Sequence, residues 1–293
     1  MVSLNAWSVI EDCLVSLGSG APGLEYEIIV VDNASTDGTR ENLQLRFPHV
    51  RLICNGRNVG FTRATNQAIA ASRGEYLLWL NTDTIVRPGT LPGLVRFLEE
   101  HPRAGIVGPK VLNPDGSFQP QCRRGLPTPL ASLMYMLGMD RVLPGSRMAG
   151  QYLLSYLPIS QASLVCAVSG CCLLARRKVL EDIGPLDEAI FGFGEDIDWC
   201  FRAGNAGWEV WYFPGSELVH RKGLGGARAL PYHKAWGIHQ AMWVFYSKHL
   251  RRNYLWPVTA GVWLATGASL ACRIVGILVS RMLRLTKRGS VGA

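Results

Sequence analysis

The sequence predicts an α/β fold built on a mostly parallel central sheet with flanking helices. Three observations carry that prediction. Short apolar runs alternate with stretches of helical character through residues 1–113, each run stops at polar residues, and the stretches between are long enough to be crossover helices. In such sheets ligands bind beyond the carboxyl ends of the strands. The polar residues that close the runs are therefore the first place to look for chemistry.

The elements follow in order. Val2-Ser3-Leu4 reads as the end of a first strand, short against the usual five or six residues, with a helix over 9–17. Apolar runs at 27–31, 50–54 and 76–80 read as strands, and 37–47 and 61–72 as the helices between them. A helix over 91–101 is closed by Pro102, and Ile106-Val107-Gly108 begins another strand. Residues 114–165 are less regular, rich in Pro, Arg, Leu and Met, with one helix expected near 130–139. Regularity returns with a strand over 167–175 that carries a Gly inside it, and a helix over 176–183 that Gly184-Pro185 ends. A dense acidic motif lies within 190–208, an aromatic helix over 232–250 and an apolar tail over 254–283.

Composition bounds the function classes. The 293 residues are 48% apolar and 18% charged, which excludes a disordered chain. The formal charge of +8 is unevenly spread: residues 1–217 hold 18 basic and 22 acidic residues, net −4, whereas 218–293 hold 12 basic residues and no acidic one. A basic segment that is also apolar points to an anionic membrane surface, and no nucleic-acid partner is expected. The eight cysteines form no CxxC pair and no metal-finger spacing, so they read as thiols in a reducing compartment, Cys171-Cys172 in the core. No leader with a small-residue cleavage site is expected at the start.

Five clusters carry candidate chemistry. Asn81-Thr82-Asp83 closes the run 76–80. An Asp at a strand end suits a hard divalent cation that takes one or two carboxylates and leaves its other positions to phosphate oxygens; a capping turn into Arg87-Pro88-Gly89 is the plain alternative. Asp32-Asn33 close the run 27–31, where a carboxylate and an amide can hydrogen-bond a nucleotide base, while Ser35 to Thr39 suit a helix cap. Asn58-Val59-Gly60 precedes a helix with Arg63 and Asn66, and Gly60 permits close backbone approach to a ligand. Glu195, Asp196 and Asp198 put three carboxylates in four residues among Phe191, Phe193, Trp199 and Phe201, a setting for a general base; Asp198 is expected to pair with Arg202. His220 ends an apolar run, and imidazole can join a Mn²⁺ site.

Together, VVDNASTDGT (30–39), NVGF (58–61), YLLWLNTDT (76–84), VGPKVLNPDGS (107–117), VSGCCLLARR (168–177), the stretch 183–220 and YSKHL (246–250) resemble family 2 glycosyltransferases of the GT-A fold, the bacterial rhamnosyltransferase-like group in particular. The resemblance runs from about residue 2 to 250. It implies a GT-A domain over 1–250, with a nucleotide-sugar half over 1–113 and an acceptor and catalytic half over 114–250, followed by a membrane-associating tail over 251–293. It gives Asp32, Asn33, Asn58, Gly60, Asn66, Asn81 and Asp83 to the nucleotide sugar. It gives Asp83 and His220 to a Mg²⁺ or Mn²⁺ ion, Asp196 to the catalytic base with Glu195 as its partner, and Trp199 to the acceptor side. The implied reaction moves a sugar, plausibly rhamnose from dTDP-rhamnose, onto a lipid-linked or growing polysaccharide acceptor with inversion. The short first strand leaves a second reading open, a catalytically silent relative that binds a nucleotide sugar or scaffolds an assembly.

In the tail, 255–272 carries no charge, Arg273 interrupts, and 274–280 continues. About 20 apolar residues span a bilayer, and an Arg at its centre costs about 2.5–3.5 kcal/mol. Both flanks are basic, with Lys248, Arg251 and Arg252 before and Arg281, Arg284, Lys287 and Arg288 after. A helix or hairpin lying in the interface at the cytoplasmic face of the membrane is expected first. A single span comes second, and a docked helix or a contact in a homo-oligomer third.

Overall fold

The first strand is as short as its sequence: β1 (Val2–Ser3) pairs in parallel with β2 (Ile29–Asp32), and β2 pairs in parallel with β3 (Arg51–Cys54). The backbone still anchors it, because the Val31 and Asn33 N–H groups donate to the Met1 and Ser3 carbonyls at 2.9 and 2.8 Å. Helices α1 (Trp7–Gly20), α2 (Thr39–Arg46) and α3 (Phe61–Ala71) are the connections around these strands. The computed structural model describes residues 1–223 and 231–289. They form two units: one of Met1–Glu188 and the described chain from Glu195 to Gly223, the other of Ala189–Gly194 and the chain from Pro231.

The second sheet of the first unit is mixed. It runs β4 (Tyr76–Leu80), β10 (Cys172–Arg176), β6 (Ala104–Leu112), β11 (Glu209–His220) and β5 (Thr84–Val86), with β8 (Ser163–Leu164) also on β11. β6 and β11 are parallel, while β10 runs antiparallel to both of its neighbours and β5 and β8 antiparallel to β11. Parallel pairing thus joins β1, β2 and β3 of the nucleotide half, and the antiparallel pairs all involve a strand from the second half, β7, β8, β9, β10 or β11. The register of β11 on β6 shifts between Phe213 and Glu217, across Pro214-Gly215, where Pro has no N–H to give the ladder. The core lies between this sheet and its helices: Leu91, Leu94, Phe97 and Leu98 of α4 (Thr90–Glu100) and Ile10, Cys13, Leu14 and Leu17 of α1 share one apolar cluster with Val107, Val111, Tyr212 and Leu218.

Three local expectations are corrected. Thr84–Val86 form a strand where a turn into Arg87-Pro88-Gly89 is expected, because their partner is β11, far along the chain. The strand over 167–175 is two strands, β9 (Ala167–Val168) and β10, broken at Ser169-Gly170-Cys171. β9 turns away to pair with β7 (Arg123–Arg124). The helix near 130–139 is α5 (Pro129–Met136), capped by the Thr128 hydroxyl, followed by the short α6 (Met139–Val142). After β10 come α7 (Arg177–Ile183) and α8 (Glu195–Asn205), which starts on three carboxylates favoured there by the helix dipole.

All eight cysteines are free. Burial pushes the Cys13 thiol up to about 11 and those of Cys122 and Cys200 up to about 12, which keeps them as inert thiols.

In the second unit α9 (Pro231–Phe245) continues into a π-helical turn, Tyr246–Leu250, and packs on α10 (Trp256–Gly289). His239 is buried and bridges its own helix to α10, with Nδ1 2.7 Å from the Ala235 carbonyl and Nε2 3.0 Å from the Ser269 hydroxyl. The Trp243 and Trp263 rings meet at 4.2 Å, and the Tyr246 and Thr259 hydroxyls at 2.9 Å. α10 is one continuous helix in which Arg273 makes no break. Within it Trp256–Ser280 is long and apolar enough to cross a membrane by length and composition, with Trp256 and Leu264 exposed. The side chains of the second basic flank, Arg281 to Arg288, lie outside the described residues.

Candidate active site

Three groups of side chains sit at the carboxyl ends of the strands. At the end of β2, Asp32 is fully buried. Its carboxylate accepts from the Ser35 backbone N–H at 2.9 Å, from the Ser35 hydroxyl and from the Arg40 guanidinium of α2. Arg40 also donates to the Asn55 carbonyl at 2.6 Å, tying β2 to the end of β3. Asn33 donates to the Gly60 carbonyl at 3.1 Å and accepts from Asn55 at 2.9 Å, and Asn55 exchanges hydrogen bonds with Gln67 of α3. Gly60 has φ +91°, a conformation that favours glycine, and its N–H donates to the Asn58 side chain at 2.9 Å. Asp32, Asn33, Asn58 and Gly60 are thus one hydrogen-bonded wall. Asn66 is elsewhere: its amide exchanges two hydrogen bonds of 3.0 Å with the backbone of Leu186. Arg63 pairs with Glu188 at 3.0 Å.

The second group joins residues far apart in sequence. Because β5 pairs with β11 with His220 opposite Thr84, His220 Nε2 lies 3.2 Å from Asp83 Oδ1. Burial opposes the imidazolium, but hydrogen bonds to Asp83 and Cys171 and the negative charge of Asp83 outweigh it and push His220 up to about 10. Asp83 is 5% exposed, and Thr82 beside it is buried. Asn81 donates its N–H to the Cys171 carbonyl at 3.0 Å, while its own carbonyl accepts from the Thr84 hydroxyl at 2.7 Å.

The third group is at the start of α8. Asp196, 7% exposed, has Oδ2 2.5 Å from the Arg124 guanidinium and 2.9 Å from the Gly170 N–H, and Oδ1 accepts from the Ile197 N–H at 2.8 Å. Glu195 is equally buried beside it. Asp198 pairs with Arg202 at 2.8 Å, as its spacing predicts. Trp199 is 3% exposed and belongs to the core with Val168, Leu173 and Val179, its indole N–H donating to the Gly184 carbonyl at 3.0 Å.

One dipeptide joins the second group to the third. Gly170 gives its N–H to Asp196, and Cys171 gives its carbonyl to Asn81. Consecutive Cα atoms are about 3.8 Å apart, so the strand end bearing Asp83 and the carboxylate of α8 are held across a single peptide unit. Glycine leaves room here: a Cβ at 170 would stand 3.0 Å from the Trp79 ring, tight enough that the ring would have to shift, and 3.5 Å from Asp196 Cβ.

Sequence reasoning misses Arg124, Arg40, Gln119 and Asn55. Arg124 and Gln119 lie in the irregular segment that no periodicity orders. The adjacent Arg123-Arg124 pair is the one signal there, and its two members differ. The Arg123 guanidinium is 4.7 Å from the Tyr212 ring centroid and donates to the Leu157 and Pro158 carbonyls at 2.6 and 2.9 Å, so it fastens that segment to the sheet. Arg124 serves Asp196. Burial opposes the Arg124 charge, but Asp196 outweighs it and raises the guanidinium above its ordinary value.

Residues 1–184 match the family model described as Glycosyl transferase family 2. The chain is 32% identical over 290 residues to the N-acetylglucosaminyl-diphospho-decaprenol L-rhamnosyltransferase of Mycobacterium tuberculosis, covering 95% of this chain and 91% of the relative. It is 27% identical over 203 residues to the dTDP-rhamnosyl transferase RfbF of Shigella flexneri, covering 67% and 60%. Among solved structures it resembles the mannosyltransferase PcManGT from Pyrobaculum calidifontis in complex with GDP-Man and Mn²⁺. That match has a TM-score of 0.57 and 19% identity over 99% of this chain and 78% of the other. At that identity the likeness shows the fold alone, the GT-A arrangement expected from the sequence.

Proposed function

The chain belongs to glycosyl transferase family 2, and on that premise we propose that it moves rhamnose from dTDP-rhamnose to a lipid-linked acceptor, with inversion and with a divalent cation. The observation that carries the reading is the Gly170-Cys171 dipeptide, whose N–H holds the buried Asp196 carboxylate and whose carbonyl holds Asn81, two residues before the Asp83 that pairs with His220. Rhamnosyl transfer is the activity for which two relatives are named, and the decaprenol-linked acceptor in the name of one supports a lipid-linked acceptor here.

The wall of Asp32, Asn33, Asn58 and Gly60 is assigned to the nucleotide base and ribose, and Asn81, which follows β4, to the diphosphate. Asn66, on the helix that follows Gly60, is assigned to the nucleotide sugar with them, its amide also bonded to the Leu186 backbone. Asp83 and His220 fit a divalent cation: an oxygen and a nitrogen donor are 3.2 Å apart, Asp83 buried and His220 half-buried. Among the described residues no set of three His, Cys, Asp or Glu forms a complete protein cage, in keeping with a Mg²⁺ or Mn²⁺ that takes its remaining oxygens from a substrate diphosphate. Such an ion supplies Lewis-acid stabilisation of the departing nucleoside diphosphate. Asp196 is the base. As the acceptor oxygen bonds to the anomeric carbon, its proton passes to the Asp196 carboxylate and the electron pair of the breaking C–O bond leaves with the diphosphate. Arg124 and the Gly170 N–H fix Oδ2, which orients the carboxylate for that role. Glu195 stands beside it at the helix start, and Trp199 backs it from the core.

Asp196→Asn tests the reading. Expected is a loss of kcat of about 10²–10⁴-fold with dTDP binding retained, in a transfer assay with dTDP-rhamnose and Mn²⁺ on a polyprenyl-diphosphate-sugar acceptor. Full activity in that variant would remove Asp196 as the base, and no transfer by the wild type from any of a panel of nucleotide sugars would favour a silent relative. Attachment to the cytoplasmic face of the membrane is assigned to α10, lying in the interface, with Lys248, Arg251 and Arg252 toward anionic headgroups. In inside-out vesicles a tag after residue 293 is then digested by added protease along with the catalytic unit; a protected tag would mean a span.

A further inference from the structure

The ring of His220 is held from behind by a residue with no place in the reading above. The chain leaves β6 through Asn113-Pro114-Asp115-Gly116-Ser117, a turn with Gly116 at φ +84°. The Asp115 carboxylate accepts the Ser117 N–H at 2.9 Å, and the Asn113 N–H reaches the Ser117 carbonyl at 2.7 Å. The returning strand bridges Phe118 to Leu112, and the Gln119 N–H donates to Val111 at 2.9 Å. This places Gln119, 5% exposed, beside the end of β11.

There its amide can be oriented from its surroundings. One terminal atom lies 2.8 Å from the His220 carbonyl and 3.4 Å from the Leu112 carbonyl, and the other lies 3.2 Å from His220 Nδ1. Carbonyl oxygens only accept, so the atom facing both is the NH₂ group, and the oxygen faces the ring. An oxygen at Nδ1 accepts a hydrogen bond and so requires the proton on Nδ1. In a neutral imidazole the lone pair is then on Nε2, the atom facing Asp83 Oδ1. We propose that Gln119 is a positioning residue that fixes the Nδ1–H tautomer and the ring plane of His220, presenting Nε2 to a divalent cation shared with Asp83. Groups behind a metal ligand commonly act in this way. The proposal rests on the assignment of Asp83 and His220 to a cation.

The test is Mn²⁺ binding to the full chain in detergent, followed by electron paramagnetic resonance with and without dTDP, for wild type, Gln119→Met, Gln119→Glu, His220→Ala and Asp83→Asn. Gln119→Met keeps the length and removes the acceptor, and weaker Mn²⁺ binding by about 10–100-fold is expected. Gln119→Glu keeps an acceptor at Nδ1 and should bind closer to wild type than Gln119→Met does. If His220→Ala abolishes binding while Gln119→Met stays within about twofold of wild type, the proposal is overturned and the cation site stands. If His220→Ala and Asp83→Asn both bind as wild type, the cation assignment falls and the proposal with it. Should Gln119→Met fail to fold, ¹⁵N NMR of the wild-type His220 ring with Mg²⁺ and dTDP decides directly. A proton on Nδ1 supports the proposal, and a proton on Nε2 alone overturns it.

Discussion

Arg124→Met should destabilise the fold more than most surface changes, and by an amount set by what it leaves behind. Arg124 is 9% exposed, with its guanidinium 2.5 Å from Asp196 Oδ2 and 3.0 Å from the Val168 carbonyl. Methionine fills the space and abandons both. Asp196, 7% exposed, keeps the Gly170 and Ile197 N–H groups, which hydrogen-bond its oxygens without supplying a charge. Removing one side of a buried ion pair costs about 3–5 kcal/mol, against a total stability of about 5–15 kcal/mol. For a unit of this size each kcal/mol shifts Tm by about 2–4 °C, so a fall of about 6–20 °C is expected. Asp196→Asn strands the buried guanidinium and should cost a similar amount. The double variant, which removes both charges, should lose less than the sum of the singles by about 1–3 kcal/mol. Chemical denaturation of the four proteins in one detergent measures that cycle. If the double variant equals the sum of the singles within about 0.5 kcal/mol, the two residues do not act as a pair and Arg124 does not hold the base.

Three further outcomes follow from the neighbouring groups. His220 is raised from an ordinary 6.5 to about 10, so its imidazolium stabilises the metal-free fold fully below pH 6.5, progressively less above it, and not at all beyond about pH 10. The Tm gap between metal-free wild type and His220→Gln should therefore be wide at pH 6 and closed by pH 10. Because a metal needs the neutral ring, Mg²⁺ binding with dTDP at pH 8 should release about one proton, read by calorimetry in buffers of different ionisation heat; no release would contradict the assignment. Gly170→Ala puts a Cβ 3.0 Å from the Trp79 ring and 3.5 Å from Asp196 Cβ, so it should lower kcat with little change in the KM for dTDP-rhamnose. A KM effect alone would separate Gly170 from the base.

The sequence by itself determined the alternation of strand and helix and the strand ends at Asp32 and Asn81. These are local signals: an apolar run, a polar stop, and a glycine where a tight turn needs one. It also marked the acidic start of α8, because three carboxylates among aromatics need no partner to be noticed. The tertiary structure decided what those groups face. Asp83 meets His220 only because β5, which has no signature of its own, pairs with the end of β11. Asp196 meets Arg124 only because the strand over 167–175 breaks at Gly170 and sends β9 to β7. Asn66 and Trp199 bond to the carbonyls of Leu186 and Gly184, since an amide or indole shielded from water satisfies its hydrogen bonds wherever the fold offers a carbonyl. Gln119 and Arg124 stayed hidden for the same reason. Their segment has no period, and a side chain's partner across a sheet is fixed by long-range strand pairing, which leaves no trace in the neighbouring residues.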